Sequence, residues 1–391
     1  MKEPWIVRRA GLVALVCLLL GGGLAWLGTE TEASQAEEKA AKKERKAEAK
    51  DQPWLREQAT QLRAEASAIR ELSPRIVLGL GPLIGALLFC MSGAARPFRR
   101  LGPARIAALG AGLCAFSWLM VATPPPLGLG IDPARAPPWL RWLPPLDIYV
   151  LAIVVTISVA SVRAGQSLKR PGLSGAALAV WLLLWIPFDL RWLKELWEGP
   201  ARLSYTGPAL WIVFLAVLSE GVAAGRTRAL GLRLPLARDL AKLAGLTLLF
   251  ALVILPAGLG IGFLEWNPRA SGAVSVLLNA LGIALTVALP EELFFRGILD
   301  ARLRESLAKP GPSGEFALGV RGRGDWLALV ASSLAFGIMH MNNRSDPAEQ
   351  LQYFLLASVA GAIYALAFRR GGLLAAIALH TLVDVVWQAV F

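Results

Sequence analysis

The sequence predicts an all-α protein that crosses a membrane many times. Of its 391 residues, 55% are hydrophobic and only 17% are charged, and 14 are tryptophans, which is more apolar than a soluble domain of this length usually is. The apolar residues fall into long runs, and Lys and Arg collect in the short connections between them. These observations predict a polytopic integral membrane protein with about 10–11 transmembrane helices.

The predicted transmembrane helices are apolar runs that approach the roughly 20 residues needed to cross a bilayer core. We expect the eighth run to continue as one long helix to about residue 307, with Pro290 as the place where it can kink. The runs cover residues 10–28, 76–94, 106–123, 146–162, 172–190, 207–225, 241–263, 273–290, 325–341, 351–368 and 372–390.

The basic residues predict the direction of these helices. Lys and Arg are abundant in every second connection, from Arg8 and Arg9 to Arg369 and Arg370, as expected for connections on the cytoplasmic side. The N terminus is therefore predicted inside, and the Arg-, Ala-, Leu- and Pro-rich composition suggests a bacterial inner (cytoplasmic) membrane. Residues 1–28 are interpreted as an uncleaved signal anchor, since no clear small-residue cleavage site follows.

One long polar segment, residues 29–75, interrupts the apolar pattern. Five apolar residues recur in it at helical spacing: Leu55, Ala59, Leu62, Ala66 and Ile69. We interpret the segment as a solvated helical linker on the outer side, with docking of a substrate or partner as the alternative. Residues 76–240 are expected to add further transmembrane helices, and Gly81 and Gly85 to allow close helix packing.

Several functional classes are disfavoured by the distribution of charged residues and cysteines. The formal net charge is +12, but the arginines form no single patch, so no nucleic-acid partner is expected. Cys17, Cys90 and Cys114 lie in apolar runs without paired or metal-type spacing. The sequence shows no internal repeat, and this disfavours a transporter that is built from two inverted halves.

The last third of the chain places ionisable groups at membrane depth, where they are costly and usually functional. In "ALPEELFFRGIL", residues 288–299, Glu292 and Arg296 are four residues apart and can neutralise each other on one helix face, which Asp300 continues. Glu291 points about 100° away from that face. This geometry leaves Glu291 available for a different role.

The only two histidines of the chain lie on two other predicted helices. Phe336 and His340 share one helix face, and so do His380 and Asp384. Three helices thus offer polar groups to a common interior. A carboxylate in apolar surroundings is a stronger base, so one glutamate and two histidines could activate water, either directly or through a metal.

The segments "EELFFRG", "FGIMH" and "HTLVD" resemble the three ordered motifs of the CAAX protease and bacteriocin-processing (CPBP or Abi) family of intramembrane endopeptidases. The resemblance covers roughly residues 245–391 and implies that residues 241–391 form an all-helical protease core. It implies that the core hydrolyses a peptide bond of a membrane-associated protein or peptide near the membrane. These motifs specify neither the substrate nor the oligomeric state of the protein.

The resemblance also implies roles for six residues. Glu291 would activate water with the help of His340, while Glu292 and Arg296 would hold the shape of the site. His380 and the residue at position 384 would stabilise the oxyanion. Position 384 is Asp384, where prenyl-protein proteases of the family have Asn, and an ionised Asp cannot donate a hydrogen bond. Asp384 is then either protonated, or orients His380, or binds a metal.

Three alternatives remain at this point. Glu291, His340 and His380 match a catalytic zinc set with one vacant position, although a metal-free glutamate mechanism is favoured by the resemblance. A non-catalytic immunity or scaffold protein could have the same fold. A proton-coupled transporter is disfavoured, because the predicted helices before residue 280 carry almost no charge.

Overall fold

The structure is a computed structural model that is all-α throughout the residues it describes. These residues are 3–50, 52–91, 102–121, 203–218, 237–268, 272–307 and 322–391, together with positions 185, 222, 230 and 231. The predicted runs 146–162 and 172–190 lie outside them, apart from Trp185. The helices of the described part are α1 (Glu3–Lys50), α2 (Pro53–Met91), α3 (Pro103–Val121), α4 (Leu203–Ala216), α5 (Ala237–Gly260), α6 (Ala273–Leu307), α7 (Arg323–His340), α8 (Pro347–Gly371) and α9 (Leu373–Val390).

The predicted fold class, a polytopic all-α membrane protein, is confirmed. Within the described residues, seven helices are long and apolar enough to cross a membrane, and α3 contributes a shorter apolar stretch at Ala108–Ser117. The seven spans correspond to α1, α2 and α5 to α9. Many large apolar side chains on these helices are exposed, among them Leu19, Leu252 and Leu277, as expected for surfaces that contact lipid.

Helices α1 and α2 form a long antiparallel hairpin that continues from the apolar region into the polar segment. A Cβ atom at Gly21 would collide with the carbonyl oxygen of Gly81 and with the backbone of Gly85. The two helices therefore approach closely because glycine faces glycine, as the spacing of Gly81 and Gly85 predicts.

The polar part of the hairpin, residues 29–75, is called the arm below. Four of the five apolar residues that the sequence places on one helix face are buried against α1: Leu55, Ala59, Ala66 and Ile69. Ion pairs cross the arm between Arg63 and Glu44 and, at 2.5 Å, between Arg70 and Glu37. The segment is thus a paired helical arm that extends two transmembrane helices without interruption.

Helix α6 is continuous but contains two π-helical stretches, residues 284–288 and 293–300. Pro290 lies in the short α-helical turn between them, so its missing N–H is accommodated where the helix already changes its hydrogen-bond pattern. The two wide turns leave a row of charged residues on one buried face, Glu292, Arg296, Asp300 and Arg304. Wide turns of this kind often occur at functional sites.

One end of the bundle, called the mouth face, is formed by residues 261–268, residues 341–346 and the C-terminal end of α9. Three hydrogen bonds hold residues 261–268 and the end of α9 to each other and to α8 and α6. Asn267 N donates to Val390 O (2.9 Å), Gln352 Nε2 to Ile261 O (3.2 Å) and Asn279 Nδ2 to Gln388 Oε1 (2.9 Å). The end of α5, the beginning of α6, the beginning of α8 and the end of α9 therefore lie on one side of the bundle.

The arm extends from that same side. Because α9 ends at the mouth face, its beginning lies at the opposite end of the bundle. Leu373 N, at the beginning of α9, donates to Gly231 O, so the chain after α4 also lies at that opposite end. Helix α4 thus begins on the mouth side. Trp211, past the middle of α4, donates to Ser117 of α3 (3.4 Å), and Gly110, earlier in α3, faces Leu218 just beyond α4, so α3 ends toward the beginning of α4. Arg75 of α2 donates to Met120 O at the end of α3 (3.1 Å). The junction between arm and bundle is therefore level with the mouth face.

Candidate active site

Glu292 is the buried centre of the polar cluster. Its side chain is fully inaccessible to solvent and links two helices. Oε2 accepts a hydrogen bond from Arg296 Nε at 3.1 Å, and Oε1 accepts one from His380 Nδ1 at 2.9 Å. A buried carboxylate is tolerable when it is paired and hydrogen-bonded in this way. Glu292 therefore fixes α9 against α6.

Arg296 is completely buried beside Glu292. Its guanidinium carbon lies 4.9 Å from the ring centroid of Phe336 and 5.8 Å from that of Phe295, so the positive charge rests on aromatic faces. A Cβ atom at Gly361 would lie only 3.2 Å from Nη2 of Arg296. The glycine on α8 therefore provides the space that the guanidinium occupies.

Glu291 points toward both histidines instead of toward the arginine. Its Oε2 atom lies 3.8 Å from His340 Nε2 and 3.9 Å from His380 Nε2. These separations exceed a direct hydrogen bond but suit a water molecule that contacts the carboxylate and an imidazole. The side chain of Glu291 is 12% exposed and that of Glu292 is 0% exposed, while the Oε2 atom of Glu291 is itself buried between the histidines.

The orientation of His340 is determined by its own helix. Nδ1 lies 2.8 Å from the carbonyl oxygen of Phe336, which can only accept, so Nδ1 carries the proton in the neutral ring. The Nε2 lone pair then faces Glu291. His340 is therefore oriented to accept a proton, or to bind a metal, at the point that Glu291 also reaches.

His380 is held from several directions. Nδ1 donates to Glu292, Nε2 lies 3.7 Å from Asp384 Oδ2, and the ring stacks on Tyr364 at a centroid distance of 4.6 Å. Asp384 is the most exposed acidic group of the cluster, with 31% of its side chain accessible. The carboxylate of Asp384 thus lies where the cluster meets the outside.

An aromatic cluster beside the two histidines was not foreseen from the sequence. Tyr353 lies 5.3 Å from the ring of His340, 5.2 Å from that of Phe263 and 6.3 Å from that of Trp387, all between centroids. These aromatic residues come from three separate elements. Single aromatics at helical spacing carry no signal of such a contact, because they are typical of any apolar helix.

A second buried ionic network lies below the cluster, toward the opposite end of the bundle. Asp300 is bonded by Arg369, with Oδ1–Nη2 at 2.5 Å and Oδ2–Nε at 3.2 Å. Arg304 donates to Asp325 at 2.8 Å. Asp300 thus continues the row of Glu292 as the sequence predicts, but its partner is on α8. Arg369, which the sequence predicts in a connection between two transmembrane helices, is only 2% exposed.

The fit of a metal can be tested on the donor set. Glu291 Oε2 and the Nε2 atoms of His340 and His380 are ordinary zinc ligands. Ligands about 2.0–2.1 Å from a tetrahedral zinc lie roughly 3.4 Å apart, whereas two of the pairs here are 3.8 and 3.9 Å apart. Among the described residues, no group of three or more His, Cys, Asp or Glu side chains meets the geometry of a metal site. The donors fit zinc chemically and would have to move closer to bind it.

A family model described as "Type II CAAX prenyl endopeptidase Rce1-like" matches residues 273–386. The match covers α6, α7, α8 and most of α9, and therefore every residue of the polar cluster. Neither the curated proteins nor the solved structures contain a match to the chain.

Proposed function

We propose that the chain is a glutamate-type intramembrane endopeptidase, because its residues 273–386 match the model of a family of CAAX prenyl endopeptidases. Its substrate would be a membrane-associated protein or peptide. The observation that supports this proposal most directly is the position of Glu291 Oε2, within 3.9 Å of the Nε2 atoms of both histidines. A carboxylate facing two imidazoles inside a membrane protein is an arrangement suited to activating water.

In the proposed reaction, a water molecule lies between Glu291 and His340. Glu291 accepts a proton from that water as its oxygen bonds to the scissile carbonyl carbon, and Nε2 of His340 orients the water through its lone pair. The carbonyl oxygen becomes an oxyanion. When the C–N bond breaks, the proton held by Glu291 passes to the leaving amine, so that one water is consumed and two chain ends are formed.

His380 is proposed to stabilise the oxyanion. The Glu292 carboxylate holds Nδ1 as a donor, so the imidazolium form of the ring can also donate from Nε2 to a developing negative charge. Asp384 is proposed to orient His380 from the outer side, since its Oδ2 lies 3.7 Å from Nε2. Glu292 and Arg296 would maintain the position of the ring and would not contact the substrate.

The place of the cluster supports a membrane substrate. His340 ends α7 at the mouth face, and Asp384 lies on the last turns of α9. A peptide bond could therefore reach Glu291 from the mouth face, while lipid surrounds the helices. We further propose that the chain resides in a bacterial inner membrane with its N terminus inside, as the distribution of basic residues suggests.

A zinc ion is the alternative way to activate water at this position. Glu291, His340 and His380 would hold it, and a bound zinc would supply a hydroxide at neutral pH. The metal-free mechanism is preferred here because the three donors are wider apart than a zinc set. Glu292, Arg296 and Asp384 would have the same positioning roles in either case.

The experiment that tests the proposal is cleavage of a panel of membrane-tethered peptides by the purified protein in liposomes. Wild type is compared with Glu291→Gln and with Glu265→Gln, which changes an exposed glutamate outside the cluster. Cleavage that is lost only in Glu291→Gln supports the proposal. If wild type cleaves none of the peptides, and Glu291→Gln still supports the function of the protein in cells, the chain is a non-catalytic scaffold and the proposal is wrong.

A further inference from the structure

The arm carries its charges unevenly along its length. Its outer half, residues 39–64, contains eight Lys and Arg and four Asp and Glu, a formal balance of +4. The inner half, residues 29–38 and 65–75, contains six acidic and two basic residues, a balance of −4. Each half contains neighbouring parts of both helices, because Glu44 pairs with Arg63 in the outer half and Glu37 pairs with Arg70 in the inner half. The arm therefore presents a basic outer half, called the tip below.

Three basic side chains of the tip point outward. Lys42, Lys46 and Arg56 are exposed, whereas the seam between the two helices is filled by small and apolar residues such as Ala40 and Ala59. Trp54, at the turn, is 53% exposed. The cations of the Glu44 and Glu37 ion pairs across the arm are Arg63 and Arg70. The charges of Lys42, Lys46 and Arg56 are thus directed toward solvent or a partner.

The length of the arm places the tip far from the surface of the bilayer that the protein crosses. Residues 29–50 extend the transmembrane part of α1 as one helix, which at about 1.5 Å per residue is roughly 33 Å. Charges in physiological salt are screened beyond about 8 Å. The lipid headgroups of the same bilayer are therefore too far away to be the partner of the tip.

A second copy of the chain in the same membrane does not fit the tip either. Copies in one bilayer stand parallel, so basic tip would face basic tip, and like charges repel. The complementary surface must be acidic and must extend about as far from the membrane as the arm does. The arm also begins level with the mouth face, the side from which a peptide reaches Glu291.

We propose that the tip binds an acidic extramembrane segment of the membrane protein that is cleaved at Glu291. The inference rests on the proposed endopeptidase function and names the class of its substrate: a membrane-tethered protein with an Asp- and Glu-rich stretch about 30 Å from the bilayer, the length of the arm. Binding at the tip holds the tether near the mouth face, which raises the local concentration of the scissile segment.

The binding test uses the full-length protein in nanodiscs of zwitterionic lipid and a fluorescent oligoglutamate peptide. Wild type is compared with Lys42→Gln/Lys46→Gln/Arg56→Gln and with a control triple that adds negative charge to the inner half. The control is Ser34→Glu/Ser67→Glu/Ala68→Glu, at three exposed positions, and it changes the net charge by the same three units. We expect about tenfold weaker binding in the tip triple, because three ion pairs with the peptide are lost, and less than about threefold weaker binding in the control.

Three outcomes overturn the proposal. The first is that wild type does not bind the peptide, and the second is that both triples lose binding equally. The third is that the tip triple abolishes binding to phosphatidylglycerol vesicles but leaves peptide binding intact, which would make a lipid surface the partner. Glu291→Gln should bind the peptide as wild type does, so binding at the tip and catalysis are judged separately.

The link to catalysis is tested with two tethered substrates that differ only in an acidic or a neutral extramembrane spacer. The tip triple should slow cleavage of the acidic substrate about tenfold at low substrate concentration and leave the neutral one unchanged. If neither substrate is cleaved by wild type although the peptide binds, the endopeptidase proposal fails while the binding surface stands. Equal slowing of both substrates would contradict recruitment by charge.

Discussion

Glu292 Oε1 lies 2.9 Å from His380 Nδ1, although the two residues are 88 positions apart in the chain. The contact joins the first and the last helix of the family-matched region. It determines which nitrogen of His380 donates, and it leaves Nε2 directed toward Glu291 and Asp384. The neighbouring glutamates thus have different surroundings, one paired in the interior and one facing the two histidines, and they should respond differently to substitution.

Glu291→Gln should abolish cleavage and leave the protein folded. The amide cannot accept a proton from water, and loss of a general base costs about 10²- to 10⁴-fold in rate. His380 keeps its hydrogen bond to Glu292 when Glu291 is neutralised, so the substitution leaves no buried cation without a partner. Cleavage rate and the thermal midpoint should be measured together; a midpoint several degrees below that of Glu265→Gln would mean that Glu291 is structural.

Glu292→Gln should reduce stability as well as activity. The variant leaves the buried Arg296 without its anion and weakens the bond to His380, and breaking a buried pair on one side costs about 3–5 kcal/mol. The free energy of unfolding in mild detergent, compared between the Gln variants at 291 and 292, measures the difference. Equal stability of the two variants would contradict the assignment of Glu292 as the positioning residue.

Asp384→Asn should retain cleavage activity within about tenfold, whereas Asp384→Leu should lose more. Asn can still hydrogen-bond to Nε2 of His380 and can also donate to an oxyanion, which an ionised Asp cannot. Leu can do neither. The measurement is kcat/KM for both variants. An Asn variant as inactive as the Leu variant would show that the carboxylate itself is required, as it would be for a metal ligand.

A chelator distinguishes the two ways of activating water. On the metal-free mechanism, prolonged treatment with a zinc chelator should leave the cleavage rate unchanged, since Glu291 and His340 act on water directly. The metal content of the purified protein is measured on the same sample. Activity that disappears with the chelator and returns with added zinc would establish Glu291, His340 and His380 as ligands instead.

Gly361→Ala should impair the site through Arg296. The new Cβ would lie 3.2 Å from Nη2 of Arg296 and 3.1 Å from Cδ1 of Phe336, and overpacking of this kind costs about 1–3 kcal/mol. Gly282→Ala on α6 is the matched control, because a Cβ there meets nothing within 4 Å. Thermal midpoint and kcat are compared. Normal kcat in Gly361→Ala would show that the site tolerates movement of Arg296.

Local geometry explains what could be predicted from the sequence. The Glu292–Arg296 pair follows from a four-residue spacing on a helix, and the close packing at Gly81 follows from the absence of a side chain. The shared face of Leu55, Ala59, Ala66 and Ile69 likewise follows from helical periodicity. The ion pair between Asp300 and Arg369 could not be predicted in this way, because the two residues lie on separate helices and no spacing in the sequence links them.

The apolar helices, and the polar groups that each helix of the last third carries, can be predicted from the sequence because both depend on composition and on neighbours within a few residues. The contact of Glu292 with His380, the position of Glu291 before both histidines and the extension of the arm from the mouth face are visible only in the folded chain. Those relationships depend on how separate helices pack, which is governed by the shapes of surfaces far apart in the chain.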